Sequence, residues 1–286
     1  MNRQAALYMI ISTAAFAVMN LVVKYLVHIP ALELVFFRAA GSFLLSMGYL
    51  RQQRIAVLGR NRKWLVIRSV VGTISLCLFF VAIKLMPLGS AVALRYLAPV
   101  IGVLLALIFL REPVRNDQWL YFLIAFAGVG LLSGFDPGIT PLGLTVILLS
   151  ALFSGMVYMA IRRLGTDEHP LVIANYFMGF AMVTGLLGAL PNWEWPVGAT
   201  EWLLLGSLGL VGLVGQLFMT MALQMEATNK IAPLKYLEAV FVLLLSYLWF
   251  GESYGYLALL GIGLIVVGNL LNAFVRRKRR APVALK

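Results

Sequence analysis

The sequence predicts an all-α integral membrane protein of ten transmembrane helices, arranged as two inverted five-helix repeats. Three observations predict it. Apolar residues come in runs of about 20, the length that crosses a hydrocarbon core of about 30 Å as a helix. Basic residues gather on one side of the alternating connections between runs. The two halves of the chain also match each other at an offset of 140 residues.

Composition fixes the class. Of 286 residues, 62% are hydrophobic and 12% are charged, against about 25% charged in an ordinary soluble domain. The runs are continuous and do not alternate, which disfavours membrane strands. A net charge of +12 raises the question of nucleic acid. The basic residues lie between the spans, so the charge is read as topology and no nucleic-acid partner is expected. The single cysteine, Cys77, lies inside an apolar run and has no intrachain partner for a disulfide.

The spans follow from the breaks between runs. The first, 6–27, begins just past Arg3; it is too long for a signal-peptide core, and no cleavable signal is visible. Pro30 opens the second, 31–50, and Arg51 closes it. A basic stretch precedes the third, 65–85, and Pro87 separates it from the fourth, 89–110. The fifth, 118–135, runs between Asp117 and Asp136. Pro141 opens the sixth, 141–161, and Pro170 the seventh, 170–190. The eighth, 202–223, follows Glu201; the ninth, 229–250, ends at Gly251; the tenth, 254–275, meets Arg276. The domain reading is 1–136 for the first repeat, 137–275 for the second and 276–286 for a basic tail.

Lys and Arg set the orientation. With the N-terminus in the cytoplasm, that side holds Arg3, the group Arg51, Arg54, Arg60, Arg62, Lys63 and Arg68, then Arg111, Arg115, Arg162, Arg163, Lys230 and the tail. The opposite side holds Lys24 and Lys84. The positive-inside rule places both termini in the cytoplasm, and the expected location is a bacterial inner membrane. The basic tail is read as an anchor near anionic lipid.

The repeat is carried by named pairs. Arg95-Tyr96-Leu97 and Glu112 in the fourth span match Lys235-Tyr236-Leu237 and Glu252 in the ninth. The same offset pairs Pro30 with Pro170, Phe37 with Phe177, Gly72 with Gly212, Ala82 with Ala222 and Gly128 with Gly268. Five spans per half is an odd number, so the second half must stand upside down. Inverted repeats are the architecture of many secondary transporters, with the site near the midplane between them. The polar groups break the symmetry: Arg38 matches Met178, and Glu238 matches Ala98.

Those residues carry a family resemblance. Pro99-Val100 through Leu110-Arg111-Glu112 resembles the fourth span of EamA-type proteins of the drug/metabolite transporter superfamily. Leu237-Glu238-Ala239-Val240 through Gly251-Glu252, with the run Gly261 to Gly268, resembles their ninth and tenth spans. Ala239 stands where the family usually has proline, and Arg111 where it usually has glycine before the glutamate. The resemblance covers nearly the whole chain. It implies ten helices and the export or exchange of small molecules such as amino acids, metabolites and drugs.

Ionisable groups inside the bilayer cost about 2.5–3.5 kcal/mol each on insertion scales and usually face a cavity or a partner. Arg95 and Lys235 stand at similar depths from opposite sides. They are expected to guard the two ends of one pathway and attract a substrate anion, with snorkelling to the interface as the alternative. Tyr96 and Tyr236 neighbour them. Glu238 follows Lys235 by three residues, on the same helix face. It is read as an ion-pair partner, a ligand for a substrate amine or the carrier of a coupling proton. Arg38, deepest in the second span, either binds substrate or is satisfied by neighbouring carbonyls.

Softer candidates are Asn20, Tyr158, Asn175, Tyr176 and Gln216, any of which can simply tie helices together. Trp193, Trp195 and Trp202 suit an interfacial belt. Gly206, Gly209, Gly212 and Gly215 permit close helix approach or leave room for a ligand. Pro99 is expected to kink the fourth span. Glu112 and Glu252 are read as structural.

No catalytic set is visible. Asp117, Asp136 and Asp167 fall in connections, and His28 and His169 at span ends. There is no metalloprotease helix motif, no nucleophile elbow and no nucleotide loop. No cofactor and no metal are expected. The leading expectation is a carrier of small zwitterionic or anionic metabolites such as amino acids, moved by alternating access and surrounded by membrane lipid. The alternative is a lipid flippase or scramblase of the same superfamily. Oligomeric state is left open.

Overall fold

The computed structural model describes residues 3–98, 100–101, 104–105, 108, 116–164, 168–225, 234–235 and 237–278. Every extended regular element among them is helical. In chain order they are α1 (Arg3–Tyr25), α2 (Ala31–Gln52), α3 (Arg62–Leu85), α4 (Leu88–Arg95) and α5 (Asn116–Phe135). Then come α6 (Pro141–Leu164), α7 (Pro170–Ala189), α8 (Gly198–Met225), α9 (Leu237–Phe250) and α10 (Tyr256–Lys278).

Local chemistry sets these boundaries. Pro30 and Pro87 stand at the N-caps of α2 and α4, where a missing N–H costs nothing. The Asn61 side chain accepts from the Trp64 N–H to start α3. Pro170 opens α7 behind His169, whose ring accepts from the Leu171 N–H at 3.2 Å. Gly251, with φ 64°, ends the turn after α9 in a conformation that favours glycine.

Helices α1, α2, α3, α6, α7 and α8 are long and apolar enough to cross a membrane, and α5, α9 and α10 contain shorter apolar stretches. The six long helices match six of the ten expected spans, and the shorter stretches overlap three more; of the ninth, 229–250, residues 229–233 and 236 lie outside the described residues. The expected fourth span, 89–110, starts as α4; Pro99 and residues 109–115, including Arg111 and Glu112, lie outside the described residues. The chain is a multi-pass membrane protein.

The main helix pairs join the two halves of the chain. α1 packs on α8, α2 on α7 and α8, α3 on α6 and α7, α4 on α9, and α5 on α10. Replacing each helix by the one five places away turns this set into itself. For example, α1–α8 becomes α6–α3, and α2–α8 becomes α7–α3.

Small residues let these pairs close. A Cβ on Gly209 would stand 2.6 Å from the Cα of Gly41, and one on Gly261 2.7 Å from the Leu132 nitrogen. Hydroxyls supply the polar ties expected where water is absent. Ser42 donates to the Gly209 carbonyl at 2.7 Å, and Ser12 to the Gly215 carbonyl at 2.7 Å. Ser75 and Ser150 donate to each other's carbonyls at 2.9 and 2.8 Å. Near the α2, α7 and α8 ends, Phe36, Phe37, Trp193, Trp195 and Trp202 form one aromatic cluster.

Candidate functional site

Two helix ends meet inside the bundle. α4 stops at Arg95, and the chain turns at Tyr96 and Leu97. α9 begins at Leu237, with Glu238 in its first turn. Arg95 therefore stands at the carbonyl end of one helix, and Glu238 at the amide end of the other. Both placements suit the helix dipole. Broken helices of this kind are tolerated at membrane depth where they line a cavity.

The cavity encloses about 750 Å³ of empty space, part of it continuous with the outside. Among the described residues, its charged lining is Arg38, Arg68, Arg95, Lys235 and Glu238. A second space of about 340 Å³ shares Arg95, Lys235 and Glu238 and adds Tyr96.

Around the helix breaks the contacts are specific. Asn20 of α1 donates from Nδ2 to Oε1 of Glu238 at 3.1 Å. The Tyr96 hydroxyl donates to the Lys235 carbonyl at 3.2 Å. The Arg95 guanidinium lies 3.9 Å from the centre of the Phe79 ring. Lys235 and Arg95 are both near enough to act on the Glu238 charge.

Across the cavity stand Arg38 of α2 and Arg68 of α3, each 3% exposed. Arg38 donates from Nε to the sulfur of Met19 at 3.0 Å, a weak acceptor. The guanidinium carbons of Arg38 and Arg68 lie 5.9 and 4.2 Å from the centre of one ring, Phe177 of α7. Nη1 of Arg38, and Nε and Nη1 of Arg68, are buried without a hydrogen-bond partner.

Of the residues singled out from the sequence, the structure gathers Arg38, Arg95, Lys235, Glu238, Asn20 and Gln216 around the larger space and Tyr96 around the smaller. Arg95 and Lys235 face the same cavity, where the sequence suggested opposite ends of a pathway. The reason is that α4 ends at Arg95 and α9 begins at Leu237, which depth counting along straight helices does not see. Tyr236 lies outside the described residues, as does the side chain of Tyr158 on α6.

Asn175 and Tyr176 do not line the cavity. Ser46 donates to Oδ1 of Asn175 at 2.8 Å between α2 and α7. The Tyr176 hydroxyl donates to the Leu58 carbonyl at 2.8 Å, pinning the connection after α2. Both tie backbone or helices together.

Arg68 is the residue that sequence reasoning misplaced. It was grouped with the basic connection before the third span, yet it sits within α3 and faces the cavity. The signal that could have found it is Gly72, one helical turn on. A Cβ there would stand 3.2 Å from Nη1 of Arg68.

One end of the bundle is closed by a second cluster. The Glu252 carboxylate accepts from the Leu88 N–H at 3.2 and 3.1 Å, and the Tyr254 hydroxyl accepts from the Gly89 N–H at 3.0 Å. Lys24 reaches Glu252 at 3.6 Å and donates to the Met86 carbonyl at 3.0 Å. Glu252 thus caps α4, a helix of the other half of the chain. The Tyr254 hydroxyl donates to that carboxylate at 2.7 Å.

Comparison with known proteins places the chain. It matches the EamA-like transporter family twice, over residues 3–134 and 141–274. The pseudopaline exporter CntI of Pseudomonas aeruginosa is 31% identical over 93% of this chain and 94% of its own length. Human solute carrier family 35 member G1 is 25% identical over 94% of this chain and 78% of its own. A solved crystal structure, 21% identical, superposes over 99% of this chain and 100% of its own with a TM-score of 0.72, a likeness of fold alone. With both halves matched and a relative aligned almost end to end, the chain belongs to the EamA-like transporter family of the drug/metabolite transporter superfamily.

Proposed function

We propose that this protein is a secondary carrier that exports or exchanges small zwitterionic or anionic metabolites, such as amino acids and related compounds. The observation that carries the reading is a buried cavity with Arg38, Arg68, Arg95 and Lys235 in its wall and one carboxylate, Glu238. Such a wall attracts a negative group and leaves a place for an amine. The 31% identity to a pseudopaline exporter supports outward transport of a small compound.

Alternating access between two inverted halves is the proposed mechanism. The set of helix pairs that maps onto itself supports it, and so does the double family match. The end of α4 and the start of α9 meeting at the cavity also suit a transporter site. The charge placement favours a bacterial inner membrane with both termini in the cytoplasm.

Counterflow in proteoliposomes tests the reading, using labelled amino acids and organic anions with wild type, Arg95→Ala and Lys235→Ala. Saturable exchange, lost in both folded variants, is expected. Exchange that survives both substitutions would remove these two residues from the pathway. Accelerated phospholipid flip without solute flux would replace the carrier with a flippase.

A further inference from the structure

We propose that Arg38 and Arg68 form a second anion subsite, so that the compound carried is an amino acid with two carboxylates. The inference rests on the carrier reading of the cavity and adds the substrate class. Both guanidiniums lie over the Phe177 ring, at 5.9 and 4.2 Å from its centre. Their carbons are therefore at most about 10 Å apart.

Among the described residues, no carboxylate comes within 4.0 Å of either guanidinium. Three buried N–H-bearing nitrogens, Nη1 of Arg38 with Nε and Nη1 of Arg68, lack an acceptor. A ring face offsets only part of the cost of burying a cation. The chain also keeps the space these groups occupy. A Cβ on Gly212 would stand 3.1 Å from Nε of Arg38, and one on Gly72 3.2 Å from Nη1 of Arg68.

The rest of the cavity supplies the other contacts. Among the described residues at the two helix ends, two basic groups, Arg95 and Lys235, stand beside one carboxylate, Glu238. Oδ1 of Asn20 is buried without a donor, next to Glu238. Two acceptors side by side suit an ammonium group. A compound with one carboxylate would satisfy the helix-break end and leave the Arg38–Arg68 pair bare. A second carboxylate satisfies both.

Equilibrium binding to the purified full chain in detergent tests this without requiring flux. The probes are aspartate, glutamate and 2-aminoadipate, each against an amide with one charge fewer, such as asparagine or glutamine. At least one acid is expected to bind about tenfold or more tighter than its amide, the scale of hydrogen bonds to charged groups. Arg68→Gln and Arg38→Gln are expected to erase that preference by weakening acid binding more than amide binding, with circular dichroism and detergent melting showing that the variants are folded. Arg68→Lys should restore part of it. Equal binding of acids and amides, failure of every acid to bind, or equal loss of both in Arg68→Gln would overturn the subsite. Binding that keeps the preference without exchange in proteoliposomes would instead overturn the carrier reading.

Discussion

Nδ2 of Asn20 donates to Oε1 of Glu238 at 3.1 Å, joining α1 to the first turn of α9 at the cavity wall. The bond orients the carboxylate at the cavity wall. Glu238→Gln keeps the size and removes the charge. It is expected to slow exchange of amine-bearing substrates at least about tenfold and to spare organic acids that lack an amine. Parallel exchange assays of glutamate and glutarate read this difference; equal effects on both would detach Glu238 from amine recognition.

Gly72→Ala and Gly212→Ala place a methyl against Nη1 of Arg68 and Nε of Arg38, at 3.2 and 3.1 Å. Each displaces a guanidinium by a few tenths of an ångström without removing it. Substrate affinity is expected to fall several-fold in both while helical content and detergent melting change little. Titrating exchange against substrate concentration checks it.

Gly209→Ala differs, because its methyl would meet the Gly41 backbone at 2.6 Å, and backbone cannot step aside. About 1–3 kcal/mol of destabilisation is expected, read as a lower melting temperature. Gly206, three residues earlier on α8, has nothing within 4 Å of a built Cβ. Gly206→Ala should match or exceed wild type, because alanine is the better helix former.

Glu252→Ala removes the acceptor for the Leu88 N–H and the partner of Lys24. The start of α4 is then expected to protect its amides less, and hydrogen exchange over residues 88–91 should quicken. A change confined to α10 would show that the carboxylate does not hold α4.

His169 caps α7 through its ring nitrogen, and burial holds its pKa below the usual 6.5. The folded state thus binds the proton less well than the unfolded chain. The stability is present above pH 6.5 and falls as pH drops through the lowered value. His169→Asn keeps a capping oxygen without a titrating ring. Its melting temperature should decline less than that of wild type between pH 7 and pH 5.

Much of this architecture was legible in the sequence because burying backbone in lipid demands long apolar helices, and these leave a plain trace. Six expected spans coincide with long described helices, and three more overlap shorter apolar ones, for that reason. The site was half legible. Arg38, Arg95, Lys235 and Glu238 stand out because a charge inside an apolar run is rare. Arg68 was hidden by its neighbours: Arg60, Arg62 and Lys63 made a basic connection seem to extend to it, although the span 65–85 already contained it. The convergence of Arg95 with Lys235 depends on where two helices stop, and no run of apolar letters marks that point. Asn175 and Tyr176 looked like site residues because polar side chains that tie helices and those that bind ligands share a chemistry.

Phe177 belongs to the second half of the chain, whereas the two arginines over its face belong to the first. In the proposed alternating-access cycle, the anchor of these cations would be the neighbour that moves. A shift of α7 against α2 and α3 would carry the aromatic face away and change how strongly both guanidiniums seek an anion. Grip on the cargo would then be set by the same displacement that opens the bundle, with no separate release device.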